Sequence, residues 1–220
     1  MLADRVDALS LLLAGLPPGG RERAGDALAG SWTIELEAGA PHFPAAFAGA
    51  ALLVVEEGFV VVRAAAPAAG RSVVSVAAGP GAVVLPPGRE EVLSALTATR
   101  VTAISADVLE QLIGVPAVAA RLVEQLASAV AQRQEALANF ASTRHTERVR
   151  RKLLQLARAY GHVVGDGIRI DFPITHALLA EMVGSSRETV TRALDELHRD
   201  GFVVRTGSTY RLLVSATVVL

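Results

Sequence analysis

The first half of the chain is divided into short apolar segments by closely spaced glycine and proline, and this feature limits the fold most. Trp32, Ile34 and Leu36 alternate with polar residues, the pattern of a half-buried strand. Valine-rich runs follow, none long enough for a helix, at residues 52–55, 59–63, 72–76, 82–85 and 99–104. Many short strands with regular turn signals predict an antiparallel β-sandwich or barrel, a β-roll, over about residues 20–105.

Composition limits the chemistry that the chain can perform. Of its 220 residues, 51% are hydrophobic and only 4% aromatic, so one or two domains are expected with cores of valine, leucine and alanine. The absence of cysteine excludes disulfides, thiolate metal sites, iron–sulfur clusters and thiol redox switches. The first residues lack a basic leader and no apolar stretch reaches the ~18 residues of a membrane span. We therefore expect a cytoplasmic protein without membrane contact.

Helical spacing brackets the β-region on both sides. An N-terminal helix is predicted over residues 2–15, and Pro17-Pro18-Gly19-Gly20 is expected to end it. From Ala106 to Phe140 the spacing is helical again, and Pro116 suits the first turn of a long helix. After a hinge at residues 139–143, a further helix is predicted to run to Tyr160.

The long helix carries a heptad-like seam that favours pairing with a second copy of itself. One row holds Leu122, Ala129 and Ala136, and the other holds Ala119, Leu126, Arg133 and Phe140. The alternative is an amphipathic helix packed on its own barrel. A charge at Arg133 is costly on such a seam unless it is paired, and no carboxylate faces it one turn away. Arg133 is therefore predicted to meet a polar or acidic ligand or a partner carboxylate; alternatively, the helix is rotated and Arg133 is solvated.

Charge is distributed unevenly between the two parts of the chain. Residues 1–141 carry 9 arginines against 14 acidic residues, whereas residues 142–220 carry 12 basic against 8 acidic residues. A basic C-terminal part suggests that this part meets a polyanion, although chance imbalance explains the same numbers.

Residues 173–214 contain a succession of helix and strand signals. Thr175 is predicted to cap a helix over His176 to Val183, and Gly184 to form a turn. A second helix is expected to begin at Ser185, because Ser185-x-x-Glu188 is a capping-box pattern. Its buried stripe comprises Val190, Ala193, Leu194 and Leu197. Gly201 should end it, and two alternating runs, Phe202 to Arg205 and Thr209 to Leu213, predict a hairpin wing.

The opposite face of this second helix has the chemistry needed to read DNA. It presents Arg187, Glu188, Thr191, Arg192 and Asp195. The major groove admits one helix, arginine bonds to guanine, and glutamate accepts from cytosine. Free amides at the Ser185–Ser186 end would suit a phosphate. Individually these residues have ordinary explanations, such as an i, i+4 ion pair between Glu188 and Arg192. The whole order of cap, helix, turn, helix and wing predicts sequence-specific binding of double-stranded DNA.

The segment from Val183 to Leu194, VGSSRETVTRAL, resembles the DNA-binding signature of the Crp/Fnr superfamily, the cyclic-AMP receptor protein and its relatives. The flanking stretches RVRRKLLQLA and RDGFV also match, so the resemblance covers about residues 142–214. It implies an α+β chain with three parts. The first part, at 1–105, is an N-terminal helix with a sensory β-roll that is like a cyclic-nucleotide-binding jelly roll. The second is a long dimerisation helix and hinge at 106–141, and the third is a winged helix-turn-helix at 142–220.

The resemblance also implies a set of partners and site residues. Arg187, Glu188 and Arg192 fall where the family reads bases, and Ser186 where it contacts phosphate. The complete predicted DNA interface is Thr175, Ser185, Ser186, Arg187, Glu188, Thr191, Arg192, Arg205 and Arg211. The implied partners are double-stranded DNA at a palindromic operator, a second copy of the chain in a homodimer, and RNA polymerase. We expect no catalytic residue, metal or cofactor, and no enzymatic activity.

The effector of this regulator is not identified by the sequence. The stretch GAVVLPPGREEVLSALTATRV lacks the Gly-Glu pair of the family's phosphate cassette, and Val92 to Ala95 stand where its arginine is expected. Arg89 and Arg133 are the candidate effector ligands, although Arg89 could instead pair with Glu90 or Glu91. One alternative is a constitutive regulator without a small-molecule effector. Another is a metal-dependent barrel enzyme, which would need several histidines, whereas His42 is the only histidine before residue 145.

Overall fold

The structure of the chain is a computed structural model that describes residues 13, 16–66, 71–141 and 144–213. They form two compact units. The first runs up to Ala65 and includes Ser75–Arg133, and the second joins Ala66–Val74 to the residues from Gln134 onward. The helix predicted over residues 2–15 lies outside the described residues, apart from Leu13.

The first unit is built around an antiparallel β-roll, as the sequence predicts. Its strands are β1 (Trp32–Leu36), β2 (Pro41–His42), β3 (Leu52–Glu57), β4 (Val60–Ala66), β5 (Arg71–Ala78), β6 (Val83–Val84), β7 (Glu91–Ala95) and β8 (Thr99–Ile104). They form two four-stranded sheets of order β1-β8-β3-β6 and β2-β7-β4-β5. The short strands β2 and β7 have no signal in the sequence pattern, and a 3₁₀ turn at Pro44–Phe47 lies between β2 and β3.

Strand β3 of the β1-β8-β3-β6 sheet is buried on both faces, which explains why it is continuously apolar instead of alternating. Leu53 and Val55 point into the roll and join its inner core with Val101. Leu52 and Val54 point the other way and pack against helices. Burial of both faces makes β3 the centre of the first unit.

Helix α1 (Pro18–Leu28) is not predicted by the sequence pattern. The run Pro17-Pro18-Gly19-Gly20 begins this helix; whether it also ends the helix predicted over residues 2–15 lies outside the described residues. Pro18 occupies the first helical position, where its missing N–H would have no intrahelical acceptor and its fixed φ suits the helix. Ala24 and Leu28 then pack on the outer face of the β3 sheet.

The predicted single helical region is two helices, α2 (Ala106–Ile113) and α3 (Pro116–Ala141). They are bent by 118° at the break between them. Leu122 is 2% exposed and packs, with Val118, on the outer face of the roll. Leu122 therefore packs on the chain's own sheet, and its predicted place on a seam with a second chain is wrong. Among the described residues no single helix is long and apolar enough to cross a membrane; α2 and α3 reach that length and apolarity only together.

The second unit is a winged helix-turn-helix, as predicted. Its elements are α4 (His145–Tyr160), β9 (Gly161–Val164), β10 (Gly167–Ile170), α5 (His176–Val183), α6 (Arg187–Arg199), β11 (Val203–Thr206) and β12 (Thr209–Leu212). The four strands form one sheet of order β11-β12-β10-β9. Strand β9 is not predicted, because Gly161 was interpreted only as the end of a helix. The expected hinge lies mostly on α3, which extends to Ala141, and residues 142 and 143 lie outside the described residues.

Candidate nucleic-acid interface

The turn between α5 and α6 is defined by one cap and one glycine. The Thr175 hydroxyl accepts a hydrogen bond from the Leu178 backbone N–H at 3.1 Å and so caps α5. Gly184 ends α5 in the left-handed conformation, with φ 62° and ψ 44°. L-residues with a side chain rarely adopt this conformation, which glycine adopts freely. This residue lets the chain reverse direction within the few residues that separate the two helices.

The N-terminus of α6 begins one residue later than predicted. Ser186 is the cap, and its Oγ accepts from the Thr189 backbone N–H at 3.2 Å. The Ser185–Glu188 capping box is therefore wrong. Ser185 is buried, its backbone N–H donates to the Ala180 carbonyl at 3.0 Å, and its Oγ lies 2.8 Å from His145 Nδ1. The amide of Ser185, expected to be free for phosphate, is thus already bonded within the chain.

Helix α6 separates its residues into a buried and an exposed face. Val190, Ala193, Leu194 and Leu197 are buried. Arg187, Glu188 and Arg192 are exposed, and Thr191 is half-buried between them. Within the described ranges neither arginine forms a salt bridge, so the ion pair between Glu188 and Arg192 considered above is not made. Both guanidinium groups keep all their donors for an external acceptor.

The carboxyl group of Glu188 is held in its ionised form. Its pKa is lowered first by a hydrogen bond from its own backbone N–H and then by one from the Ser186 side chain. The charges of Arg187 and Arg192 act in the same direction. An ionised carboxylate accepts hydrogen bonds only, which is the property needed to recognise an exposed amino group.

The two arginines of the wing differ in their surroundings. Arg205 is exposed, with its guanidinium carbon 5.9 Å from the centroid of the Tyr210 ring. Arg211 Nη1 lies 3.0 Å from Asp166 Oδ2 and is therefore already paired within the chain. Arg205 is the better placed of the two predicted wing residues to meet a phosphate.

His176, at the first position of α5, contacts the exposed face of α6, which the sequence analysis did not identify. Its Nδ1 lies 2.8 Å from Thr191 Oγ1 on α6. Burial lowers the pKa of His176, and the nearby charges of Arg205 and Arg187 lower it further. The one sequence signal was its position, directly after the Thr175 cap and therefore beside the reading helix.

The base of the turn is held by a second group that sequence reasoning missed. Arg148 of α4 is buried and donates from Nη1 to the Val183 carbonyl at 3.3 Å. Its Nη2 donates to His145 Nδ1 at 2.8 Å, and that nitrogen also contacts Ser185. Because arginine only donates, His145 Nδ1 is an acceptor in this arrangement. The start of α4 is thereby joined to the α5–α6 turn.

The two candidate effector residues in the first unit have different environments. Arg89 is exposed and, among the residues that the structure describes, pairs with neither Glu90 nor Glu91. Glu91 instead accepts from the Gly88 backbone N–H at 2.9 Å, and its other oxygen lies 3.5 Å from Arg133 Nη2. Arg133 thus has a carboxylate partner in its own chain, from a strand far away in sequence. Neither of the two sequence-based alternatives, a ligand or partner-chain contact and a solvated side chain, included this pair.

Comparison with known proteins agrees with this architecture. Residues 147–215 match the family model of the Crp-like helix-turn-helix domain. The chain is 33% identical over 113 residues to the CRP-like cAMP-activated global transcriptional regulator of Mycobacterium tuberculosis, which covers 50% of each chain. It is 36% identical over 83 residues to a global nitrogen regulator of Synechocystis, covering 38% of this chain and 36% of that one. The second unit is therefore a Crp-like helix-turn-helix domain.

Solved structures extend the likeness in fold to the first unit. A CooA mutant from Carboxydothermus hydrogenoformans matches 98% of this chain and 95% of its own, with a TM-score of 0.75 and 17% identity. The c-di-GMP responsive global regulator CLP of Xanthomonas campestris matches 90% of this chain and 100% of its own, with a TM-score of 0.63 and 25% identity. The likeness to CooA concerns the fold alone. In sequence, the chain spans half or less of the length of these curated relatives.

Gly184→Ala should destabilise the second unit by about 1–2 kcal/mol, the cost of a side chain in the left-handed conformation. Gly165→Ala is the matched control, because Gly165 lacks a left-handed φ and an added Cβ would meet nothing within 4 Å. Both tyrosines, Tyr160 and Tyr210, lie in this unit and the single tryptophan does not. Urea unfolding followed by tyrosine emission measures the difference, and equal stability of the two variants would contradict the role given to Gly184.

Proposed function

We propose that this Crp/Fnr regulator recognises a specific sequence in double-stranded DNA by placing α6 in the major groove. The observation that carries the proposal is the exposed face of α6, where Arg187, Glu188 and Arg192 occupy the first two turns without salt bridges to the described residues. A major groove admits one α-helix, and the residues near the N-terminus of that helix reach the base edges.

Each of these side chains suits a different group on the DNA. The guanidinium groups of Arg187 and Arg192 can each bond to both acceptors of a guanine, and the ionised Glu188 can accept from a cytosine amino group. The cap residues Thr175 and Ser186 and the wing residue Arg205 then contact phosphates, which position the helix without selecting a sequence. Arg211 contributes less, because Asp166 already neutralises it.

Arg187→Ala and Arg192→Ala should each weaken binding to the preferred sequence by about 1–3 kcal/mol and relax the base preference at one position. Arg205→Ala is the control: it should lower affinity about equally for all sequences and reduce the slope of affinity against salt by about one. Titrations against the selected operator and against scrambled DNA measure both effects. Unchanged affinity of Arg192→Ala for its operator would reject the placement of α6.

We further propose that the regulator is a homodimer joined along α3, on a face that differs from the predicted seam. Ala120, Val123, Ala127 and Val130 form a stripe with alternating spacings of three and four residues. Val123 is 65% and Val130 53% exposed, although the opposite face of α3 is buried on the roll. An apolar stripe of this period is the pairing surface of a two-stranded coiled coil.

Val123→Glu together with Val130→Glu should convert the dimer to a monomer, because the substitutions bring four carboxylates into one apolar seam. Ile113→Glu is the matched control, since Ile113 is 52% exposed but lies outside the stripe. Sedimentation equilibrium measures the molar mass. The dimer should select inverted repeats with centres ~10 base pairs apart, one turn of DNA. A control variant that also dissociates, or selected sites without symmetry, would contradict the proposal.

A regulator that binds DNA without a small-molecule effector is the second candidate function, favoured by the pair between Glu91 and Arg133. One carboxylate oxygen of Glu91 pairs with the Arg133 guanidinium, and the other accepts a hydrogen bond from the backbone N–H of Gly88. These are an arginine and a loop amide, the groups that an anionic effector would need. In this chain Glu91 contacts both of them. The metal-dependent enzyme is not favoured: no group of three or more potential metal ligands occurs among the described residues, and the family comprises transcription regulators.

Protein freed of small molecules by unfolding, dialysis and refolding should bind the operator with unchanged affinity. Arg133→Leu should also leave that affinity unchanged and should lower stability by no more than ~1 kcal/mol, because the pair is partly exposed. Equilibrium titrations before and after refolding test both points. Affinity that returns only when the removed small molecules are added back would favour the effector-dependent alternative.

A further inference from the structure

Two hydrogen bonds connect the start of α5 to the reading face of α6. Thr191 Oγ1 lies 2.9 Å from the Arg187 carbonyl oxygen one turn earlier in α6. The same Oγ1 lies 2.8 Å from His176 Nδ1 on α5. The side chain of Thr191 is therefore held from two sides, by its own helix and by the neighbouring one.

The direction of these bonds follows from what each group can donate. A carbonyl oxygen only accepts, so Thr191 donates its single hydroxyl proton to the backbone carbonyl of Arg187. His176 Nδ1 must then donate to Thr191, which assigns the Nδ1–H tautomer to His176. Its Nε2 is buried and, within the described part of the chain, has no hydrogen-bond partner. An unprotonated nitrogen tolerates this position better than an N–H group would.

Burial and the nearby arginines favour the neutral form of the His176 ring. Arg187 and Asp195 face it from α6, and Arg205 faces it from β11. Burial lowers the pKa of His176 most, the two arginines lower it further, and Asp195 opposes them. The imidazole therefore acts as a neutral donor and adds no charge to the DNA-facing surface.

These bonds leave Thr191 with little polar capacity for a base. Its hydroxyl proton is donated to the Arg187 backbone carbonyl, and one oxygen lone pair accepts from His176. The group of Thr191 that remains available to contact a base is therefore chiefly its methyl group. Threonine can adopt two rotamers in a helix while still bonding to the carbonyl one turn back, so the bond to α5 is needed to select between them. An apolar contact of this kind favours the methyl group of thymine.

We propose that His176 is a positioning residue for base recognition, whose hydrogen bond fixes the Thr191 methyl group against a thymine. The inference rests on the proposed major-groove placement of α6. It adds a specificity that neither arginine nor glutamate supplies, since those side chains select guanine and cytosine.

Replacing thymine by uracil in the operator tests the contact, because only the methyl group is removed. Wild-type protein should lose about fourfold in affinity at one thymine of each half-site, the value of one buried methyl group. Thr191→Ser, which keeps the hydroxyl, should bind both DNAs equally. His176→Leu should also lose the difference, whereas His176→Asn should keep it, because Asn Nδ2 lies where Nδ1 does and donates without titrating.

The outcomes separate this inference from the proposed function. If wild-type protein selects no sequence, the proposed function fails. If it selects an operator but His176→Leu keeps the fourfold uracil effect, or His176→Asn loses it, only the role of His176 is overturned. Nitrogen NMR of the His176 ring provides a test without DNA. The Nδ1–H tautomer should be seen in the wild type and should revert to Nε2–H in Thr191→Val, and an Nε2–H ring in the wild type would overturn the inference.

Discussion

Burial of one apolar stripe of α6 is the interaction on which the recognition surface depends. Val190, Ala193, Leu194 and Leu197 are all buried. Their spacing leaves the helix one orientation in which this stripe is removed from water, and burial of four apolar side chains makes other orientations costly. Arg187, Glu188, Thr191 and Arg192 are turned outward as a consequence. The reading face is thus set by hydrophobic packing before any DNA is present.

Hydrogen bonds then fix the parts of the α5–α6 turn that apolar packing alone does not position. Arg148 bonds to the last carbonyl of α5, and His145 bonds to both Arg148 and Ser185. His176 restrains Thr191. Buried polar groups of this kind are costly unless they are bonded, so each bond specifies one arrangement of the turn. A side chain aimed at a base edge needs that precision, because a hydrogen bond weakens over a few tenths of an ångström.

Apolar packing also sets the orientation of helix α3 in the first unit. Helix α3 covers the outer face of the roll with Val118 and Leu122, while Val123 and Val130 remain exposed on its other side. One helix thus presents two apolar faces, of which its own chain covers one. Glu91 brings Arg133 of this helix to the roll. The β-roll thus has an internal carboxylate beside the arginine that was predicted to meet a ligand.

The sequence by itself determined the features that depend on local spacing and chain geometry. These include strands β1, β3, β4, β5, β6 and β8 of the roll, helix α5 between its Thr175 cap and Gly184, and the hairpin wing. Period and turn chemistry act over a few residues, so a single sequence contains them. The exposed positions Arg187, Glu188 and Arg192 also followed from the helical period of the buried stripe.

Tertiary structure decided the features that depend on competition between distant groups. The cap of α6 lies at Ser186 because Ser185 is engaged by His145 and by the Ala180 carbonyl. Leu122 of α3 packs on the outer face of the β3 sheet, together with Leu52 and Val54. Arg133 meets Glu91, and His176 meets Thr191, across separations of 42 and 15 residues. Local periodicity shows which residues share a face but not what that face meets, since that depends on burial summed over the whole unit.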